Sequence, residues 1–372
     1  MNTNQTGTLD TMIIGGGQAG LAMGHYLKEQ NRTFLILDAN PRTGDAWRQR
    51  WDSLRVFTPA KYDGLPGVPF PADPLSFPTK DEVAGYLEGY AERFALPVIR
   101  GVRVERLWRE ADRFVAASNG HRWEAHNVVV ATGCSQAPKV PGFAADLDAS
   151  VVQLHSSQYR NAGQLQAGPV LVVGLGNSGA EIALEVGRTH STSVAGKPGG
   201  ELPVKHGPTA ARYFLPIVRF LGLHVLTLST PLGRKAAPAF KAHATPLIRT
   251  KSKDLAAAGV QFVPRVAGVQ DGMPVLADGT RVEVSNVVWC TGYRDDFSWI
   301  DPGMLDGGAL PPQHRGVALR TPGLFFLGQE FQYAAASATL PGTARDARHL
   351  ARRIPRPPMA ARESARAGEK EA

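Results

Sequence analysis

The segment TMIIGGGQAGLAMGHYL, residues 11–27, places a glycine-rich turn between a short apolar run and an Ala- and Leu-rich run. The glycines have the spacing Gly15-x-Gly17-x-x-Gly20. The first glycine permits a tight turn, the second lets a pyrophosphate approach the backbone, and the third lets a helix pack closely on a strand. The segment therefore predicts the strand, turn and helix that open a dinucleotide-binding βαβ unit.

A second apolar run and an acidic residue complete this unit. Residues 34–37 are apolar, and Asp38 follows them, 18 residues after Gly20. A carboxylate at the end of that strand binds ribose hydroxyls, while the N–H groups at the helix N-terminus bind phosphates. We predict that this unit binds FAD. The residues predicted to contact it are Gly15, Gly17, Gln18, Ala19, Gly20, Asp38 and Ala39.

The same arrangement recurs in VLVVGLGNSGAEIALE, residues 170–185. Forty glycines in 372 residues give about half a chance match to this spacing per chain, but both matches here lie between strand-like and helix-like runs. In the second unit Lys197 stands where an NAD-binding unit has an acid, and a cation there suits the 2′-phosphate of NADPH. NADH remains an alternative because Glu201 is close in sequence. The residues predicted to contact this nucleotide are Gly174, Gly176, Asn177, Ser178, Gly179 and Lys197.

Length, composition and charge narrow the class of protein. A chain of 372 residues is long enough for two domains. The polar N-terminus, the absence of an apolar run long enough to span a membrane, and only two cysteines indicate a cytoplasmic protein without a disulfide framework. The net charge of +8 is concentrated in residues 202–253, which hold nine Lys or Arg and no acid. This segment is either an electropositive face that attracts an anionic cofactor or a solvated basic surface. No nucleic-acid motif accompanies it, and no metal-ligand spacing occurs.

Several further segments, in this order, resemble the flavin-containing monooxygenases. They are Gly44-Asp45-Ala46-Trp47, Ala131-Thr132-Gly133, Cys290-Thr291-Gly292-Tyr293, and the segment that ends at Gly328-Gln329. With the two glycine turns they extend over nearly the whole chain. The resemblance implies that Gly44, Trp47, Ala131, Thr132, Gly133, Thr291, Gly292, Gly328 and Gln329 also contact the cofactors.

The resemblance also implies an α/β fold with two Rossmann-like domains. The NAD(P)H-binding domain, residues 161–286, is inserted into an FAD-binding domain that is split into residues 1–160 and 287–354. Alternating residues between 102 and 130 predict a small antiparallel meander before the insertion. The Pro- and Arg-rich residues 355–372 are predicted to form a disordered tail.

In the family that the chain resembles, NADPH reduces the flavin, and the reduced flavin binds O2 as a C4a-hydroperoxide. This species transfers one oxygen atom to sulfur or nitrogen, or to a ketone in a Baeyer–Villiger reaction. The resemblance thus implies an NAD(P)H-consuming monooxygenase for a small apolar substrate, with the reaction type left open. Two alternatives are an NAD(P)H oxidase or reductase without productive oxygenation, and a non-catalytic redox sensor that binds FAD and NADPH.

The loop-like residues 44–78 are the predicted active-site segment. Trp47 matches a tryptophan that packs near the isoalloxazine in the family, although simple core packing explains it equally well. Thr58 or a neighbour stands where N-oxygenating members have asparagine, and a hydroxyl donates one hydrogen bond where an amide donates two. We predict Trp47 and Thr58 as catalytic-site residues. A second departure leaves the reaction type open, because the family signature around His155 and Tyr159 is only half kept. Ala149 and Val151 occupy its Phe and Gly positions.

Residues 211–233 form an apolar stretch with widely spaced cations. They suit a lid over the substrate site, a surface that contacts a membrane or a second subunit, or a buried helix pair. The pattern slightly favours the buried pair, and a homodimer is left open. Cys134 follows Thr132-Gly133, Cys290 precedes Thr291-Gly292, and the two do not form a CxxC pair. We therefore predict packed thiols and no thiol relay.

Overall fold

The computed structural model describes residues 9–242, 245–305 and 312–356. Apart from residues 355 and 356, the predicted disordered tail lies outside the described residues. No helix in the described part is long and apolar enough to cross a lipid bilayer.

Residues 9–130 form most of a first sheet. Its elements are β1 Leu9–Ile14, α1 Gln18–Glu29, β2 Phe34–Asp38, α2 Asp45–Arg48, α3 Lys80–Arg93, β3 Val98–Arg100, β4 Arg106–Glu110, β5 Arg113–Ser118 and β6 His121–Val130. Strand β1 lies between β2 and β6 and is parallel to both. The strands β4, β5 and β6 pair antiparallel in sequence order, which confirms the predicted meander.

Residues 137–289 contain the five strands of a second sheet and a separate two-stranded hairpin. The elements of this part are β7 Ala137–Pro138, β8 Val152–His155, β9 Val170–Val173, α4 Asn177–Val186, β10 Thr192–Ala195, α5 Pro208–Tyr213, α6 Leu215–Phe220, α7 Pro231–Ala242, α8 Ser252–Ala257, β11 Gln261–Val263, β12 Val266–Gln270, β13 Met273–Leu276 and β14 Asn286–Trp289. Its strand order is β11-β10-β9-β14-β8, with all neighbours parallel. Parallel strands with a glycine turn after the central strand are typical of a dinucleotide-binding fold.

The chain then returns to the first sheet. The remaining elements are β15 Tyr293–Arg294, β16 Gln313–His314, β17 Val317–Ala318, β18 Leu324–Phe326 and α9 Leu340–Ala351. Strand β18 pairs parallel with β6, and the first sheet has the order β16-β17-β18-β6-β1-β2-β3. Since β6 and β18 are neighbours in space, the second sheet is inserted between neighbouring strands of the first. The predicted α/β fold with one Rossmann-like unit inserted into another is confirmed.

The strand pairing bears on where the two domains meet. Boundaries at residues 160 and 286 would assign β8 to the FAD-binding domain and nearly all of β14 to its second part. Yet β14 pairs with β8 on one side and with β9 on the other, inside the second sheet. The pairing therefore favours chain crossings close to Gly133 and Gly292.

The buried helix pair expected for residues 211–233 is wrong. Residues 211–225 are largely helical, but only one side of this helical part is packed, with Ala211 and Leu215 in a small apolar cluster. Tyr213 is 67% exposed, and Ile217 and Phe220 are each 57% exposed. Apolar residues surround the helix, so one apolar side remains in solvent when the other is covered.

Candidate active site

The first glycine turn connects β1 to α1 in the geometry that its spacing predicts. Gly15 has φ +114°, and a β-carbon there would lie 2.4 Å from the Ala131 carbonyl oxygen. A β-carbon on Gly20 would lie 1.9 Å from the Gly15 carbonyl oxygen, so the helix can start this close to the strand only with glycine. A β-carbon on Gly17 would meet no atom within 4 Å. The space in front of the α1 N-terminus is therefore open to a phosphate.

Asp38 ends β2 beside this turn. A β-carbon on Gly16 would lie 2.6 Å from its Oδ2 atom, so the carboxylate borders the glycine turn directly. Its Oδ1 atom accepts hydrogen bonds from the backbone and side-chain amides of Asn40, each at 3.1 Å. Burial raises the pKa of Asp38, and these Asn40 hydrogen bonds oppose that shift. Asn40 thus holds the carboxylate of Asp38, the predicted ribose ligand, in place. Sequence analysis did not identify Asn40. Ala39, also predicted as a ligand, is exposed next to it.

Three predicted flavin segments meet at this turn. A β-carbon on Gly328 would lie 3.2 Å from the Ala19 β-carbon and 3.9 Å from the Gly133 α-carbon. The Gln136 side-chain amide donates to the Thr132 hydroxyl and to the Gly133 carbonyl oxygen, both at 2.9 Å. These contacts bring together segments that are separated by more than a hundred residues in the chain. Gln329 accepts a hydrogen bond from the Gln313 side chain at 2.6 Å.

The second glycine turn repeats the first in detail. A β-carbon on Gly174, which has φ +105°, would lie 2.4 Å from the Cys290 carbonyl oxygen. A β-carbon on Gly179 would lie 1.9 Å from the Gly174 carbonyl oxygen, the same close approach as between Gly20 and Gly15. Gly176 precedes α4 as its N-cap and makes no side-chain capping bond, which leaves N–H groups of the first turn for a ligand. The chain therefore contains two glycine turns of equivalent geometry.

The residues around the second turn differ in how they are engaged. Lys197 is exposed directly after Gly196, whose own β-carbon would lie 3.4 Å from the Leu175 amide nitrogen. Glu201 accepts hydrogen bonds from the Ser252 amide and hydroxyl, at 2.9 and 2.5 Å, and among the described residues Lys197 forms no salt bridge. The Glu201 carboxylate is thus engaged by Ser252 rather than by Lys197.

Asn177 and Ser178 open α4. The Asn177 side-chain amide donates to the Thr245 hydroxyl at 3.2 Å and to the Pro246 carbonyl oxygen at 3.1 Å, and its oxygen accepts from the Ile248 amide at 2.9 Å. This side chain holds the loop of residues 245–248 against the helix. Its predicted contact with the nucleotide stays a prediction, to which the structure adds this loop-anchoring role.

The predicted active-site segment contains a buried polar pair. The Thr58 hydroxyl donates a hydrogen bond to Oδ1 of Asp63, whose side chain is fully buried. Among the described residues the second carboxyl oxygen, Oδ2, has no hydrogen-bond partner. Burial raises the pKa of Asp63 to about 7, against the opposing effect of the Thr58 hydrogen bond. Asp63 was missed in the sequence because nothing in its neighbourhood marks it as buried.

Trp47 lies beside the first turn. Its indole N–H donates to the Gln18 side-chain oxygen at 3.2 Å, and the half-buried ring packs against the core that contains Ala19 and Leu327. The structure thus joins Trp47 to Gln18, one of the predicted FAD ligands. It does so by a hydrogen bond that core packing alone would not require.

The active-site segment also contacts the helix that follows the second turn. The Glu185 carboxylate on α4 accepts hydrogen bonds from the Ser53 hydroxyl and, at 2.8 Å, from the Tyr159 hydroxyl. Arg249 donates to Glu181 at 2.8 Å, while burial raises the pKa of Glu181 to about 7. These contacts connect the loop after α2 to α4 of the inserted unit.

A second set of contacts lies at the crossing after β14. The Arg50 guanidinium donates to the Tyr293 hydroxyl at 2.8 Å, and the His155 ring packs edge-on against the Tyr293 ring. His155 Nε2 lies 3.0 Å from the Gly292 carbonyl oxygen, and Nδ1 lies 2.9 Å from the Ser157 hydroxyl. Both ring nitrogens of His155 have partners, which fix the ring at the crossing, and burial lowers its pKa against the opposing effect of the Gly292 hydrogen bond.

Thr291 contributes to the same crossing through its hydroxyl, which donates to the Lys139 carbonyl oxygen. Both cysteines are free thiols. Burial raises the pKa of Cys290 to about 12, and it also raises the pKa of Cys134. Thiols of this kind are poor nucleophiles. The prediction of packed, unreactive cysteines agrees with this geometry.

Two glycine turns of equivalent geometry, one unit inserted into the other, are the arrangement expected of a flavoprotein that reacts with a pyridine nucleotide. Residues 12–197 match the family described as pyridine nucleotide-disulphide oxidoreductase. A CzcO-like oxidoreductase of Geobacillus kaustophilus, whose printed name calls it uncharacterized, is 38% identical over 345 residues, 92% of this chain and 97% of that protein. Probable indole-3-pyruvate monooxygenase YUCCA3 of Arabidopsis thaliana is 28% identical and covers 78% of this chain and 74% of its own length.

Among solved structures, the flavin-containing monooxygenase of Stenotrophomonas maltophilia superposes with a TM-score of 0.75 at 29% identity. The match covers 94% of this chain and 98% of that one. The chain belongs to the flavin-containing monooxygenase family. It is a flavin-dependent oxidoreductase.

Proposed function

We propose that the protein uses NADPH and O2 to insert one oxygen atom into a small apolar molecule that carries sulfur, nitrogen or a carbonyl group. The observation that carries this proposal is the convergence of Ala19, Gly133 and Gly328 at the first turn. The helix α4, which follows the second turn, is hydrogen-bonded to the active-site segment through Glu185 and Ser53. Bound FAD supplies the hydride acceptor and the oxygen chemistry. The chain's own residues bind and orient both nucleotides.

Each residue has a distinct part in this proposal. The N–H groups after Gly17 bind the FAD pyrophosphate, and Asp38 accepts hydrogen bonds from a ribose diol. The N–H groups after Gly176 bind the pyrophosphate of NADPH. Trp47, fixed by Gln18, forms a wall of the flavin site and helps to exclude water.

Lys197 is proposed to bind the 2′-phosphate, since it is exposed beside the second turn and Glu201 is engaged elsewhere. Lys197→Ala should raise the KM for NADPH about tenfold, because a charge-assisted hydrogen bond to the phosphate is lost. The KM for NADH should change much less. Steady-state kinetics with both nucleotides measure this. Lys235→Ala, which removes an exposed lysine from α7, serves as the control, and equal effects of Lys197→Ala on both nucleotides would refute the assignment.

An NAD(P)H oxidase is the second candidate. It is favoured by one observation, that the Thr58 hydroxyl already donates its single hydrogen to Asp63 and thus has none left for an oxygen species. The two functions differ in where the oxygen goes. We expect hydrogen peroxide per NADPH consumed to fall when a suitable sulfide, amine or ketone is added, with label from ¹⁸O2 in the product. If peroxide accounted for all NADPH with every substrate tested, the oxidase would be the correct function.

A further inference from the structure

The helices after the second nucleotide turn expose an unusual number of apolar side chains. In the described part, nine large hydrophobic residues are exposed, and five of them lie within twenty residues. They are Tyr213, Ile217, Phe220, Leu221 and Leu232, with exposures of 67, 57, 57, 42 and 55%. We call this set the α5–α7 face. Its residues are concentrated on one segment, whereas single exposed apolar residues scattered over a surface need no explanation.

Four residues of the face lie on α5, α6 and the π-helix Leu221–Val225 that follows α6, and Leu232 lies on α7. Tyr213 precedes Ile217 by four residues, and Phe220 and Leu221 follow Ile217 by three and four residues, which places these four on the same side. The opposite side of the segment, which includes Leu215 and the fully packed Ala211, is buried. A helix in water normally carries polar residues opposite its buried side. Here both sides are apolar, so the outer side has the character of a contact surface.

The charge around the face is of one sign. Residues 202–253 contain nine Lys or Arg and no Asp or Glu, and the exposed residues of this segment include Arg212, Arg219, Arg234 and Lys235. A symmetric dimer through this face would bring the cations of one subunit close to the cations of the other, which costs free energy. Apolar residues bordered by cations are instead the pattern of segments that lie in the interface of an anionic membrane.

The inner side of the same segment packs on both active-site regions. Leu215 belongs to a cluster with Leu75 and Phe77, which are in the active-site segment of residues 44–78. The Leu228 amide donates to the Tyr333 carbonyl oxygen at 2.9 Å. Tyr333 follows Gly328 and Gln329 by a few residues in the chain. The segment that carries the α5–α7 face therefore also contacts both predicted active-site regions.

We infer that the α5–α7 face docks on the surface of an anionic lipid bilayer, with Ile217 and Phe220 inserted among the lipids and the cations at the headgroups. The docked orientation places the segment that contacts the active-site regions next to the membrane, which is a reservoir of apolar molecules. The inference stands on exposure and charge alone, so it holds whether the enzyme is an oxygenase or an oxidase.

The test is flotation of the full-length, FAD-loaded protein with vesicles. Vesicles of phosphatidylcholine mixed with phosphatidylglycerol should bind the protein, and vesicles of phosphatidylcholine alone should bind it much less. Raising the salt from about 0.1 M to about 1 M should weaken the binding, because the screening length falls from about 10 to about 3 Å. Phe220→Glu should reduce binding to the anionic vesicles by at least about tenfold, since it removes the ring that would insert among the lipids and adds a charge that the lipids repel.

Leu319→Glu is the matched control, because Leu319 is 63% exposed directly after β17 and is not part of the α5–α7 face, so its substitution should leave binding unchanged. NADPH oxidation without lipid should be the same in all three proteins, which shows that the variants fold. The inference is overturned if anionic vesicles do not bind the protein, or if Phe220→Glu and Leu319→Glu bind equally well. It is also overturned if centrifugation shows a dimer that Phe220→Glu dissociates while no vesicle binds.

Discussion

Replacing Gly179 with alanine should leave FAD bound but nearly abolish reduction of the flavin by NADPH. The new β-carbon would lie 1.9 Å from the Gly174 carbonyl oxygen and 3.3 Å from the Cys290 β-carbon, so α4 must move away from its turn. Relief of such an overlap costs roughly 3 kcal/mol, which corresponds to about a 100-fold loss of NADPH affinity. Anaerobic reduction followed by absorbance, with FAD content measured on the same sample, checks this result.

The first turn supplies the matched variant. Gly20→Ala creates the same 1.9 Å approach, to Gly15, and should yield protein depleted of FAD. Gly17→Ala meets no protein atom within 4 Å, so its fold should persist while its methyl group obstructs the pyrophosphate. Gly85→Ala, in the open middle of α3, is the control for the substitution itself. If Gly20→Ala and Gly179→Ala lost the same cofactor, two separate nucleotide sites would be the wrong interpretation.

Asp63→Asn should change the pH dependence of stability more than any other single carboxylate substitution that we consider. Burial in the native state raises the pKa of Asp63 from 3.8 to about 7. Between these two values the native carboxyl retains a proton that the unfolded chain has released. The contribution of this group to the free energy of unfolding is therefore full below pH 4 and falls as the pH rises toward 7. The fall amounts to as much as roughly 4 kcal/mol. Asparagine does not titrate, so the variant should gain stability relative to the wild type between pH 5 and pH 8.

Urea unfolding at the two pH values measures this difference. Asp73→Asn removes an exposed carboxylate from the same segment and should leave the pH dependence nearly unchanged. Other buried acids, such as Glu181, are present in both proteins and cancel in the comparison. Parallel pH profiles for the wild type and Asp63→Asn would show that the Asp63 carboxyl is not held in its protonated form by burial.

The sequence was informative wherever the signal is local. Each glycine turn carries its own strand, spacing and helix within about twenty residues, and the structure reproduces both turns with the same close approaches. The acid at the end of β2 and the antiparallel meander are signals of the same kind. Membership of the flavin-dependent monooxygenases followed from several such segments in one order.

The rest depends on contacts between distant parts of the chain. Strand β8 pairs with β14, and no local pattern in VQLH, residues 152–155, shows that it joins the second sheet. Asp63 is buried by segments far from it in sequence, so its raised pKa has no signature in its neighbours. In the helices that carry the α5–α7 face, apolar residues occur on both the packed and the exposed side. Periodicity alone therefore does not show which side is packed.

The most direct test of the account is a two-step rapid-mixing experiment on the FAD-loaded enzyme. NADPH is first mixed without oxygen, and aerated buffer with or without candidate substrates follows while the flavin spectrum is recorded. We predict that NADPH bleaches the flavin and that oxygen then produces a persistent spectrum unlike that of oxidised or reduced flavin, which decays as oxygenated product forms. Direct return to oxidised flavin with one peroxide per flavin, under every substrate condition, would contradict a monooxygenase.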